Sequence, residues 1–125
     1  MRAVLTIALA AALLAPPAVG QEAERRPVGA SAAYWTCSRQ AASMASERTC
    51  LSDELARVRW ALRQAEESSR DDPESVALWQ RSADHDCAKE GELAGSGNSA
   101  GDSETACWIE RTTERLAYVR RFGNW

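Results

Sequence analysis

The sequence predicts an all-α fold: a small disulfide-stapled bundle with an antiparallel helical hairpin plus a C-terminal helix. Three observations lead there. Apolar residues recur at helical spacing along the second half of the chain. Four cysteines stand behind an export-type leader in a short chain. No stretch alternates apolar and polar residues as a half-buried strand does. The chain has 125 residues, a net charge of −3 and 26% charged residues, which bounds it to one small domain and excludes a multi-domain enzyme. An acidic balance argues against nucleic-acid binding, which needs a basic face to neutralise phosphates.

Met1-Arg2 supplies a positive start, Ala3 to Ala15 an apolar run and Ala18-Val19-Gly20 a small-x-small pattern before Gln21. Residues 1–20 therefore read as a signal peptide cleaved near Gly20–Gln21, which places the mature chain in the periplasm or the medium. The run is too short to span a bilayer of about 30 Å, so no membrane span is expected in the mature form. Residues 21–31 are polar, carry Pro27 and Gly29, and read as a flexible leader.

Ala32 to Arg48 is alanine-rich and suits a short helix. Ser52 then offers a cap, with Asp53 and Glu54 in the first turn, where negative charge suits the helix dipole. Leu51, Leu55, Val58, Leu62 and Ala65 form one stripe on a helix over about 53–69. Arg63 with Glu67 and Glu66 with Arg70 are spaced for pairs on its wet face. Asp72-Pro73 is a stop followed by a start, and opens a helix to about Lys89 bearing Val76, Trp79, Ala83 and Cys87. The short break implies an antiparallel hairpin. Residues 91–101 hold four glycines and read as a loop; the last helix then runs from Asp102 or Ser103 to about Arg121, with Ile109, Thr112 or Thr113, Leu116 and Val119 inward.

An even number of cysteines in an exported chain reads as two disulfides. The rival is a metal site around Asp84, His85, Asp86 and Cys87, but the cysteine gaps do not match zinc spacing and there is a single histidine. Three pairings are possible. The local ones, Cys37–Cys50 and Cys87–Cys107, are favoured, because the second staples the glycine-rich segment between two helices. Neither a cofactor nor a catalytic constellation is implied: one histidine without companions assigns no chemistry, so the chain reads as a non-enzyme.

Trp79, at helical spacing from Ala83 and Cys87, reads as core. Trp108 is expected near a disulfide. Trp60 lies off the stripe and suits either a second contact face or an exposed partner anchor. Asp84 and Arg115 stand on two different helices and either pair across them or remain two solvated charges, with a structural role favoured for both, and His85 is expected on the surface. Six carboxylates stand against one base, Lys89, between Asp84 and Glu104. Asp86, Glu90, Glu92, Asp102 and Glu104 are thereby candidates for attracting a cationic partner, the bland alternative being a solvated loop.

These residues also carry a resemblance. A cysteine before the first long helix, Trp79-x₄-Asp84-x₂-Cys87, a glycine/serine loop and Cys107-x₄-Thr112-x₂-Arg115 resemble the N-terminal domain of the LprI-like lysozyme inhibitors, small exported helical proteins of bacteria. The likeness spans about Cys37 to Arg121, and makes 32–125 an LprI-like helical domain. Ala83 and Val76 stand where that family commonly has arginine and glutamine. The resemblance implies structural roles for Trp79, Asp84, Thr112 and Arg115. It also implies a protein that binds and blocks lysozyme, or another cationic protein, with no chemistry of its own. A cell-envelope interaction module with a different protein partner is the alternative.

Overall fold

The computed structural model describes residues 26–123. The expected signal peptide, its cleavage point, residues 21–25 of the leader and the last two residues lie outside the described residues. The fold class is the expected one: four helices, no strand among the described residues, and two disulfides. No described helix is long and apolar enough to cross a membrane.

Helix α1 (Ala32–Gln40) begins at Ser31, whose side chain accepts the Tyr34 amide, and ends where Ala41 turns extended. Helix α2 (Met44–Glu67) begins three residues later, capped by Ser43 accepting from the Ser46 amide. The stretch expected as one short helix to Arg48 is therefore broken, and α2 starts well before Ser52. Both serines satisfy the local rule for a cap, and the upstream one is used because the chain must turn at 41–43 to bring Cys37 onto Cys50.

Helix α3 (Pro73–Leu93) starts as expected, with Asp72 accepting the Ser75 amide at 2.8 Å and Pro73 in the first turn. It runs a turn beyond Lys89. Helix α4 (Asn98–Phe122) starts a turn earlier than expected. The predicted eleven-residue loop shrinks to residues 94–97, where Gly95 and Gly97 take positive φ. Gly91 stays helical and buried. A Cβ there would lie 3.3 Å from the Ala100 carbonyl oxygen, so the missing side chain lets α3 and α4 close together.

Helix α4 is the central element. α2 and α3 run antiparallel, as the short break implied, but each packs along α4 and their backbones do not meet. α2 and α4 are parallel: Arg48 at the start of one holds Asp102 at the start of the other, and their far ends meet where Gly123 accepts from the Arg70 amide. α3 runs antiparallel to α4, with Cys87 bonded to Cys107.

The core is three adjoining clusters. Tyr34, Leu51, Ile109 and the Cys50 sulfur fill the first. Val58, Leu62, Leu116 and Val119 fill the second. Ala83, Trp108 and the Cys87–Cys107 bridge fill the third. Leu55 packs against all three, so the α2 stripe read from spacing is the seam of the molecule.

The segment before α1 departs from the reading as a flexible leader. Pro27 is fully buried, the Val28 amide donates to Glu110 at 2.9 Å, and Ser31 donates to Glu54 through both its amide (2.8 Å) and its hydroxyl (2.7 Å). A buried proline and a buried carboxylate acceptor fix this segment. Its polar composition had suggested the opposite.

Candidate functional site

Both favoured disulfides are present. Cys37 and Cys50 are 5.7 Å apart at Cα, and Cys87 and Cys107 5.3 Å. Cys87 is thus a bridge sulfur, not a metal thiolate, and His85 beside it is exposed.

Residues 84–104 form the tip of the α3–α4 hairpin and its approaches. Asp86 faces Arg111 at 3.3 Å, and Glu92 accepts from Lys89 at 2.9 Å. The Lys89 ammonium holds the Glu92 carboxyl below the usual carboxylate range, so it stays ionised. Glu104 is exposed and lies across from Gly91; Glu90 is half-buried. Leu93 projects at the end of α3 with 79% of its surface exposed. Asp102 does not belong to this surface. It is 8% exposed and bonded to Arg48 at 2.9 Å, because the early start of α4 turns it toward α2.

The Asp84–Arg115 pair that the sequence allows is absent. With Cys87 opposite Cys107 in an antiparallel pair, Arg115 falls opposite Trp79, and Asp84 is left in solvent. Arg115 is 7% exposed. It donates to Asp71 and stands 3.8 Å from Glu66, while its guanidinium sits 5.8 Å from the Trp79 ring and 5.2 Å from the Tyr118 ring. Glu66 is therefore turned inward, away from the wet-face pairing expected with Arg70. Burial pushes its carboxyl above the ordinary value, and Asp71 adds to this, while Arg115 opposes it.

Beside this ion cluster lies a cleft of about 190 Å³ between α2 and α3, floored by α4. Leu62, Trp79 and Trp108 supply apolar wall; Arg59, Arg63, Glu66, Gln80 and Thr112 supply polar groups. Arg59 lies over the Trp108 ring at 5.3 Å. Thr112 is 1% exposed, and among the described residues its hydroxyl has no hydrogen-bond partner, nor has Oε1 of Glu66. Trp79 is half-buried against two of the core clusters, and Trp108 is buried against the Cys87–Cys107 bridge, both as expected. Trp60 is 59% exposed beside a separate hollow with Val119 and Arg120.

Sequence reasoning missed two buried carboxylates of α2. Glu47 accepts from the Tyr34 hydroxyl at 2.6 Å and from Ser38 at 3.1 Å, and Glu54 accepts from Ser31 and Arg57. Burial and the Glu47 carboxylate together push the Tyr34 hydroxyl far above its ordinary range. The cleft arginines were also missed: they read only as surface charges until the packing of Trp108 showed what they flank.

Comparison with protein-family models, with curated proteins and with solved structures finds no match to this chain. What the fold defines is a small all-α, disulfide-held bundle.

Proposed function

We propose that this chain is an exported binding protein of the LprI-like kind, which blocks lysozyme by occupying its surface and performs no chemistry. The observation that carries the reading is the α3–α4 tip. Leu93 projects there next to the ionised Glu92, on the same hairpin end as the exposed Glu104, with Cys87–Cys107 joining the two helices below it. A projecting apolar side chain on an acidic, crosslinked hairpin end suits a cationic partner: the charges steer the encounter and the crosslink limits the order lost on binding. The two disulfides are compatible with the periplasm or the medium. Lysozyme is proposed as that partner because the Trp79, Asp84, Cys87, Cys107, Thr112 and Arg115 pattern resembles the LprI-like inhibitors.

A second reading is favoured by Trp60. A half-exposed indole beside a hollow is a fitting anchor for another protein, and makes the chain an envelope interaction module.

One experiment separates the two. Oxidised mature protein is added to lysis assays with several lysozyme types, alongside the variants Leu93→Asp and Trp60→Ala. Inhibition that falls about tenfold or more in Leu93→Asp, persists in Trp60→Ala and weakens with salt supports the tip. Absence of inhibition at high excess overturns the lysozyme reading in favour of the module. Inhibition that ignores salt and the tip variant overturns the role of the acidic end.

A further inference from the structure

The cleft between α2 and α3 is on a different part of the molecule from the hairpin tip, and it has the opposite charge. Arg59 and Arg63 stand one turn apart on α2. Among the described residues neither forms an ion pair, and Arg59 lies over the Trp108 ring at 5.3 Å. The one carboxylate in the lining, Glu66, faces Arg115, which itself also binds Asp71. Two uncompensated guanidinium groups thus border a cleft in an acidic protein.

The floor makes a second demand. Thr112 is in mid-helix, where a threonine hydroxyl commonly bonds back to the preceding turn, yet among the described residues this hydroxyl has no partner, and the residue, 1% exposed, lines the cleft. Oε1 of Glu66 is buried and faces Nε of Arg115 at 3.8 Å, an ion-pair distance too long for a hydrogen bond, and among the described residues neither atom has a hydrogen-bond partner. A buried polar atom without a partner is costly, so a ligand bringing hydroxyl groups to these atoms gains what the fold leaves unmade.

We propose that this cleft binds a single sugar unit bearing a carboxylate. Arg59 and Arg63 take the carboxylate, for which a guanidinium fork is shaped. The indoles of Trp79 and Trp108 offer apolar surface to the C–H face of the ring. Sugar hydroxyls donate to Glu66 and exchange hydrogen bonds with Thr112 and the Gln80 amide. The volume of about 190 Å³ is smaller than a drug-sized pocket and suits one ring. An acid on an aromatic or aliphatic body meets the arginines and indoles equally well but leaves Thr112 and Glu66 unsatisfied, so it is the poorer occupant. The proposal is independent of the lysozyme reading: either can fail alone, because one is read in a lysis assay and the other in a ligand titration.

The test is a titration of the oxidised mature chain with glucuronic acid, followed by the indole N–H signals of its tryptophans. Glucose, acetate and N-acetylphenylalanine serve as comparison ligands. The expected result is saturable shifts at Trp79 and Trp108, with Trp60 still, at millimolar concentrations. Glucose and acetate each bind about tenfold more weakly or worse. Arg63→Gln, an exposed position on α2, should weaken glucuronic acid about tenfold, while Arg39→Gln on α1 leaves it unchanged. No saturation, equal binding of glucose or acetate, or an unchanged Arg63→Gln overturns the proposal. Equal or tighter binding of N-acetylphenylalanine also overturns it, and makes the cleft a site for aromatic acids.

Discussion

The two ends of α4 are held by different chemistry. Its N-terminal part is fastened covalently, through Cys107 to α3, and backed by the Arg48–Asp102 bond to α2. Its C-terminal part has no covalent tie. It depends on Leu116 and Val119 in the second core cluster, on one buried guanidinium, Arg115, shared between Asp71 and Glu66, and on the close approach of Gly123 to residues 69–70. A crosslinked end tolerates exposed charge and a projecting leucine, because its order does not rest on burial alone. An end held by buried ions and contact has no such freedom, and mutations and a rise in pH should register there first.

The largest effect should come from Arg115→Ala. It strips two partly buried carboxylates of their cation, and a loss of about 3–5 kcal/mol in denaturant unfolding is expected. A change within 0.5 kcal/mol of zero (about the limit for a surface site) breaks the contrast. Replacing Cys87 and Cys107 together by serine should cost about 3 kcal/mol, from the entropy restored to the unfolded chain. Because α4 keeps its other contacts, the helical circular-dichroism signal should survive at low temperature while the midpoint falls.

Gly123→Ala comes next. Its Cβ would lie 2.7 Å from the Val119 carbonyl oxygen and 2.8 Å from the Ser69 Cβ, so backbone has to shift and about 1–3 kcal/mol should be lost. Gly95→Ala has open space around it but a φ of +100°, so its smaller loss of about 1 kcal/mol should come from backbone strain. If the two variants reverse in order, the C-terminal contact is looser than described.

The smallest effect is a pH dependence. The Glu66 carboxyl is raised by burial above its ordinary 4.5, so the folded state holds this proton more tightly than the unfolded chain. The linked stabilisation is fully present below 4.5 and is lost as pH rises through the folded value. Wild type should therefore lose ground to Glu66→Gln between acid and neutral pH, measured as denaturant midpoints across that range. A difference independent of pH would remove Glu66 from the buried cluster.

The parts legible in the sequence are those that local rules decide. The stripe from Leu51 to Ala65, the Asp72-Pro73 start and the two local bridges each follow from spacing or from a cap within a few residues. The misreadings fall where tertiary packing chooses between equal local options. Ser43 and Ser52 are both good caps, and only the corner that joins Cys37 to Cys50 selects the first. Glycines read as loop formers, yet Gly91 is helical because α4 presses against it. Asp84 and Arg115 carry opposite charges, but the register fixed by Cys87–Cys107 puts Trp79 opposite the arginine. The cleft was the least legible feature. Arg63 read as half of a wet-face pair and Thr112 as an inward structural residue, and that they border one cleft with Arg59 lies in which helices meet.

Both bridges close within neighbouring helices, α1 to α2 and α3 to α4, and neither crosses the parallel seam between α2 and α4. The described chain is thus two crosslinked helix pairs joined by the short stretch 68–72. A cut there would yield two fragments, each already crosslinked, that need only non-covalent docking along Leu55, Val58 and Leu62 to rebuild the whole. Such a split pair makes the association of the two halves directly measurable.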